Sequence, residues 1–551
     1  MEHQSETSQP GTSGFYARDV AFRSGVVHLQ SPANMAYTAA TQGYPPPDPS
    51  SAFTYMDLGC GDGTTLNAWA SAYPQAEFIG IDFNPGHIER AQRVADEAGL
   101  ENVHFMEASF ADIEPDAMPA CDFVAMNGIY SWLEEDMLRH VRAVLGQCIK
   151  PGGLFYVEYT VLPGSISQWP LWHLIQGLVP PDAGSDSRER AETALNLLEK
   201  LVQGGMGYLR NHPQARQAAL NYINNRKRST NTVDHFAHNA LASGFRPRFF
   251  TEMAGEMREA GLSYVGRATT RLNELEVSVP LQQASLLRQV EDPDMREMLI
   301  DYIRNDSNRR AVWVKDGERR PAAARDFLFT TYYAVANRPT QRMPRYLTRQ
   351  DNTRVSLADN AHGKLFDGFD RTARRVADLE VSETVSGELL EPAVRRVFAT
   401  GEFTLALEPT ELDPEAPAPE QIAMPNPMNQ RLLGEAAEER RRCGVISPIT
   451  GGRAVTLGAF QTLFLDAWLR HGRDARLDAV AEVVPEMTGS VRMNGVDVRH
   501  SELSRDQLTL FLERFDQNQV PRLLAFGVIA PATDAETDAP ADDDGDEGED
   551  G

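Results

Sequence analysis

The chain has 551 residues, of which 42% are hydrophobic, 8% aromatic and 24% charged. Those are ordinary globular proportions at a length too great for one core, so two to four domains are expected and a fibrous, collagen-like or mostly disordered protein is excluded. Seventy-nine acidic against 53 basic residues give a net charge of -26, and residues 534–551 hold ten of the acids and no base, leaving -16 on the rest. That field opposes docking on a phosphate backbone or an anionic membrane surface, which argues against nucleic acid as a main partner. Cys60, Cys121, Cys148 and Cys443 are widely separated and form no CxxC pair, so neither a disulfide framework nor a zinc site is spelled out, and no metal is expected. The first residues, MEHQSETSQPGTSG, lack a basic and an apolar region, and no apolar run approaches the ~20 residues needed to span a bilayer. A soluble, cytoplasmic protein without membrane insertion is expected.

In chain order, residues 1–14 and 534–551 read as disordered ends, being low in periodic apolar positions. Within residues 15–165, short apolar runs (FTYMDLG, EFIGIDF, NVHFMEA, CDFVAMNG, GLFYVEYTV) alternate with amphipathic stretches, which predicts an α/β fold with a parallel sheet covered by helices. Between the second and third runs, PGHIERAQRVADEAGL puts Ile88, Ala91, Val94 and Ala95 on one face and stops at Gly99. Residues 166–233 read as a helical insertion or connector, with RERAETALNLLEKLVQGG its clearest helix, and residues 234–316 as a mostly helical module. Residues 320–530 mix helix and strand patterns and predict a C-terminal α+β domain, interrupted at 411–430 by a proline-rich linker that has few amide donors for regular structure.

The strongest constellation is Asp57-Leu58-Gly59-Cys60-Gly61-Asp62-Gly63, directly after a predicted strand and before a predicted helix. Alternating glycines let backbone approach a ligand, and the helix start favours a negative group, phosphate or carboxylate. A dinucleotide fingerprint would place its third small residue at Thr64, whereas here the glycine comes one earlier, so the spacing departs from NAD binding. Asp82 closes the next strand, nineteen residues after Gly63, where a carboxylate accepts both hydroxyls of a ribose. The pattern fits a nucleoside without phosphates. The Cys60 thiol has no neighbouring His or Lys to stabilise a thiolate, so it reads as filler rather than nucleophile.

With Cys121-Asp122-Phe123-Val124 as a fourth strand and Lys150-Pro151-Gly152-Gly153 as the turn before a fifth, the chain resembles the class I S-adenosylmethionine-dependent methyltransferases. The resemblance implies a doubly wound, seven-stranded Rossmann-like sheet and S-adenosyl-L-methionine as cofactor. It places the cofactor against Asp57, Gly59, Cys60, Gly61, Gly63, Asp82 and Phe83, with Ser109 and Phe110 where the adenine lies and Asn127 after strand four. Asp112 falls three residues beyond the position where relatives usually carry an adenine-binding acid.

Further pieces resemble a narrower group, methyltransferases with a methyltransferase regulatory domain, which includes the rickettsial protein-lysine methyltransferases acting on outer-membrane protein. They are Asn127 to Trp132, Tyr159 to Gly164, Phe249 to Glu252, Ala260 to Gly266 and the lead-in His28-Leu29-Gln30-Ser31-Pro32. Asn127 stands where relatives often have His, and Ser165 where many have Trp. The group implies a protein lysine as methyl acceptor. Such an amine must lose a proton, and an apolar cleft with aromatic rings and an oxygen acceptor eases that. Asn127, Tyr130 and Tyr159 are therefore the candidate catalytic residues, with Trp132 as a further ring; ordinary packing is the alternative for each aromatic. His235 and His238, three apart, have no third ligand signalled nearby and read as packing or surface residues. The run Asn127-Gly128-Ile129-Tyr130 lacks the Pro-Pro-aromatic signature of base-directed enzymes. A small-molecule acceptor and a non-catalytic cofactor-binding scaffold remain open as alternatives, as does a homodimer.

Overall fold

In the computed structural model, the described residues are 19–532 apart from 21–24, 227–229, 382–384, 414–416, 453, 488, 494 and 495. Both predicted disordered ends, 1–14 and 534–551, lie outside them. Seven strands form one sheet: β1 (Thr54–Leu58), β2 (Glu77–Asp82), β3 (Val103–Glu107), β4 (Cys121–Met126), β5 (Ile149–Thr160), β6 (Leu262–Arg267) and β7 (Asn308–Lys315), in the order β3-β2-β1-β4-β5-β7-β6. β1 to β5 run parallel; β7 lies antiparallel to both β5 and β6. The order reverses between β1 and β4, so the crevice where a doubly wound sheet binds its ligand opens at the ends of those two strands.

The first five strands arise where the apolar runs predicted them. β1 has four of its five residues buried, because helices cover both faces and the strand reads as a nearly continuous buried run. Met56 and Leu58 enter one core with β4, β5 and helix α4 (Glu135–Cys148); Tyr55 enters the other with helices α1 (Pro32–Thr41) and α2 (Thr64–Ala72). Helix α3 (Pro85–Glu97) forms as the periodicity expects, capped by the Asn84 side chain, with Ala91, Val94 and Ala95 buried and Ile88 half-buried. Its chain reverses through Gly99 at φ 64°, where the Leu100 amide returns to the Ala95 carbonyl.

The last two strands come from the 234–316 stretch and complete the sheet edge beside β5, so that stretch shares main-chain hydrogen bonds with the N-terminal strands. Helix Phe250–Glu259, just before β6, packs on helix Pro293–Arg304, which lies between β6 and β7. The 166–233 stretch contributes helices, including Ser187–Gln203, which share a separate core with helix Thr230–Ala240 through Trp172, Leu195, Leu198 and Phe236. Beyond residue 320 the chain is α+β: helices with small antiparallel sheets, gathered in two further cores. Of the 411–430 stretch, only the two-residue strand Ile422–Ala423 and the start of helix Pro427–Glu438 are regular among the described residues. Helix α1 ties the halves together. All ten of its residues are buried, Met35, Ala36 and Ala39 toward the sheet and Ala33, Tyr37 and Ala40 toward the C-terminal region, while Asn34, Thr38 and Thr41 donate their side chains to backbone carbonyls.

Candidate active site

The β1–α2 turn is built on its glycines. Gly59, Gly61 and Gly63 have φ of 81°, 56° and 70°, the left-handed region that side chains avoid. A Cβ on Gly59 would lie 1.8 Å from Ile129 Cδ1, and one on Gly63 would lie 2.5 Å from the Ala91 Cβ, whereas one on Gly61 would meet nothing within 4 Å. Two of the glycines thus permit close packing, and Gly61 presents bare backbone to open space. Gly59 and Cys60 donate their amides to the Ile81 carbonyl, fastening the loop to the end of β2. The Gly61 amide donates to Asp82 Oδ2 at 3.0 Å, while Asp82 Oδ1 accepts from the Asn84 amide at 2.9 Å and faces His87 Nδ1 at 3.2 Å. Asp82 is therefore held by backbone and ring donors with its carboxylate beside the loop.

Opposite it, Asp57 shares the sheet face of Tyr55. Gln30, from the lead-in before α1, donates from Nε2 to Asp57 Oδ2 at 3.1 Å, and its carbonyl accepts from the Tyr55 hydroxyl at 3.0 Å. Asp57 Oδ1 and Gln30 Oε1 are both buried with no hydrogen-bond partner among the described residues. Burial, with the nearby Asp82 charge, lifts the Asp57 carboxyl from its ordinary 3.8 to about 7 against the opposing hydrogen bond from Gln30. Two such acceptor oxygens, one on a carboxyl and one on an amide, form a receptor for a cation bearing N–H groups.

These residues line one cleft enclosing about 770 Å³ of solvent-connected space. Of the residues expected from sequence, Asp57, Gly59, Cys60, Gly61, Asp82 and Asn127 line it. Asn127 Oδ1 accepts from the Tyr156 hydroxyl at 3.1 Å, which fixes the amide at the tip of β4. The Cys60 thiol is buried and raised well above its ordinary range, first by burial and then by the Asp82 and Asp57 charges, so it stays protonated.

Six expected residues do not line the cleft. Gly63 caps α2 and allows α3 to pack against the loop. Phe83 is half-buried next to Asp82; Ser109 caps a short turn, its Oγ accepting from the Ala111 amide; Phe110 is buried, its ring 3.8 Å from where a Gly59 Cβ would stand. Tyr130 and Tyr159, placed at the amine by the sequence reading, are instead fully buried in the core beneath the sheet end. Tyr130 donates to Glu256 Oε2 at 2.6 Å under the Arg248 guanidinium, and the Tyr159 hydroxyl is buried without a hydrogen-bond partner among the described residues. The reason is strand parity and depth: both rings are apolar enough to fill the layer between β5, α4 and helix Phe250–Glu259.

Other wall residues had no local signature. Gln30, His87 and the adjacent pair His238 and Asn239 reach the cleft from three separate segments. Of the two histidines noted in sequence, His235 is exposed beside the Tyr222 hydroxyl, while His238 is buried and its Nε2 hydrogen-bonds the Val20 carbonyl at 2.9 Å. That bond makes Nε2 the donor, and burial pushes His238 down to about 4, so the ring is neutral at pH 7. Trp132 donates from Nε1 to the Asn239 carbonyl and packs on Phe245.

Two family models match the chain: "Methyltransferase domain" over residues 49–196 and "Predicted methyltransferase regulatory domain" over residues 232–315. Residues 49–196 are thus a methyltransferase domain, followed by a methyltransferase regulatory domain. The cofactor of the methyltransferase domain is S-adenosylmethionine, and the regulatory-domain match spans both β6 and β7. An uncharacterized protein of Synechocystis is 31% identical over 306 residues, 54% of this chain and 58% of that protein. An uncharacterized protein of Rickettsia prowazekii is 23% identical over 288 residues, 52% of this chain and 50% of that one. The chain spans about half the length of the curated relatives it matches. The structure of PKMT2 from Rickettsia typhi in complex with AdoHcy superposes with a TM-score of 0.62 at 15% identity, covering 91% of this methyltransferase and 99% of that chain, which establishes the shared fold. The orphaned oxygens of Asp57 and Gln30 fit the ammonium of a methionine moiety, and Asp82 beside bare Gly61 fits a ribose.

Proposed function

We propose that this methyltransferase transfers the methyl group of S-adenosylmethionine to a lysine amine of a protein. The observation that carries the reading is the chemistry of the cleft wall. Asp57 and Asp82 are the carboxyl side chains that line it among the described residues, and no arginine or lysine does. Such a wall suits a cationic cofactor and an amine acceptor better than an acceptor that brings further negative charge. The lysine itself follows the resemblance to the rickettsial protein-lysine methyltransferases.

When bound, the cofactor supplies an activated methyl on a sulfonium. Asp57 and Gln30 would hold its ammonium and Asp82 its ribose hydroxyls, beside the Gly59–Gly61 backbone. The acceptor needs a free lone pair, and deprotonating a lysine of ordinary pKa at pH 7 costs about 4.6 kcal/mol. Asn127 Oδ1 accepts a hydrogen bond from that amine on the lone pair left over by Tyr156, and desolvation by Ile129 and Trp132 disfavours the ammonium form. The nitrogen lone pair would take the methyl carbon as its bond to sulfur breaks, the bonding pair staying on sulfur and the surplus proton leaving to solvent. Alignment of the three atoms is the main contribution of the protein.

Incubation with methyl-labelled S-adenosylmethionine and bacterial protein extract tests this. Label is expected in polypeptide and, after hydrolysis, in methyl-lysine. Label confined to small metabolites overturns the acceptor assignment, and absence of cofactor binding overturns the whole reading.

A further inference from the structure

The region beyond residue 403 packs against the two helices that frame the glycine loop. Asp62, in the loop, is 2% exposed at its side chain and caps the start of α2 through Thr64. Its Oδ2 lies 3.5 Å from Nε of Arg90 on α3, and Nη2 of the same arginine reaches Glu435 Oε1 at 3.3 Å on helix Pro427–Glu438. Glu435 is itself braced by Arg431 at 3.1 Å, which also pairs with Glu97 near the end of α3. One guanidinium thus spans a loop carboxylate and a C-terminal carboxylate.

A second set of contacts grips α2 from behind. Gly451 and Gly452, with φ of 62° and 74°, sit so close to the end of that helix that a Cβ on Gly452 would lie 2.6 Å from the Trp69 ring. The Tyr73 hydroxyl donates to the Gly451 carbonyl at 2.6 Å, and Asn426 Nδ2 donates to Ser71 Oγ at 3.1 Å. A helix anchored at its far end, with its first turn tied through Asp62 and Arg90, fixes where the loop amides stand. Because the loop has three residues of positive φ and one carboxylate brace at Asp82, its position responds to such ties.

We infer that the C-terminal region is a positioning element for the cofactor loop, acting through Arg90 as the link between Asp62 and Glu435. The inference rests on the cofactor reading above for its effect on affinity, but its structural half is measurable without ligand. The test compares wild type with Glu435→Ala, Arg90→Ala, Arg90→Lys and the double alanine variant. Amide exchange of residues 59–65 is followed in the ligand-free full chain, with the S-adenosylmethionine Kd by calorimetry and kcat at saturating cofactor. Glu435→Ala is expected to speed loop exchange and to raise the cofactor Kd about two- to fivefold, the range of a partly exposed ion pair, at unchanged kcat and melting temperature. In the Arg90→Ala background it should add nothing, and Arg90→Lys, which keeps the charge but cannot span both carboxylates, should fall between. Unchanged loop exchange in Glu435→Ala, or additive effects in the double variant, overturns the link. Faster loop exchange in a protein that binds no S-adenosylmethionine keeps the link and refutes the cofactor reading instead.

Discussion

Asp57→Asn separates what the Asp57 charge costs the empty protein from what it contributes to binding. The carboxyl is held at about 7 in the folded chain against 3.8 ordinarily, so between those values the folded state keeps a proton that the unfolded state has lost. Wild-type stability therefore falls as pH rises through that window, and the ionised side chain carries a cost of at most about 4 kcal/mol above it. An asparagine keeps an oxygen to accept from Gln30 and carries no charge, so this slope disappears; any fixed cost of its extra buried N–H does not vary with pH. From pH 5.5 to pH 8 the variant should gain about 2 kcal/mol on wild type, a few degrees of melting temperature, in ligand-free calorimetry. The same variant should bind S-adenosylmethionine about 10- to 100-fold more weakly, the worth of a charge-assisted hydrogen bond. Parallel melting curves for the two proteins across that pH range would refute the buried-carboxylate argument.

Three further outcomes follow from the packing. Gly63→Ala should destabilise by about 2–4 kcal/mol in denaturant unfolding, from positive φ and a 2.5 Å approach to Ala91; wild-type unfolding would show that α3 does not press on the loop. Gly61→Val, whose Cβ meets no protein atom, should instead abolish cofactor binding in calorimetry at a smaller loss of stability. Tyr130→Phe should cost about 1–3 kcal/mol by stripping a donor from Glu256, whereas Tyr159→Phe, which loses no partner, should leave stability level or raised by about 1 kcal/mol. Turnover per folded molecule should hold in both tyrosine variants, and a selective loss in either would return that phenol to the chemistry.

The glycine loop and Asp82 were legible because their signal is local: a strand, three glycines and a helix start within a dozen residues, then one carboxylate at the next strand end. Gln30 was visible only as part of a lead-in segment, since nothing in HLQSP states which side chain turns toward β1. His238 and Asn239 carry no local mark, for their place depends on how helix Thr230–Ala240 lies over the cleft. Tyr130 and Tyr159 lie in the core and not in the cleft wall for a related reason. Residues beside a strand end alternate between cleft and core, and an aromatic suits both, so only the packing against Glu256 and α4 decides. The strands of residues 262–267 and 308–315 were read as part of a helical stretch because helix text surrounds each short run.

The antiparallel pairing of β5 with β7 joins residues 154–160 to 308–314, so the rim of β5 stays bare until the chain reaches residue 315. During synthesis, the ribosome must therefore deliver the helical insertion and the regulatory domain before the methyltransferase sheet can close. Until then Phe155, Val157 and their neighbours present a long apolar edge, the kind of surface on which nascent chains meet chaperones or one another.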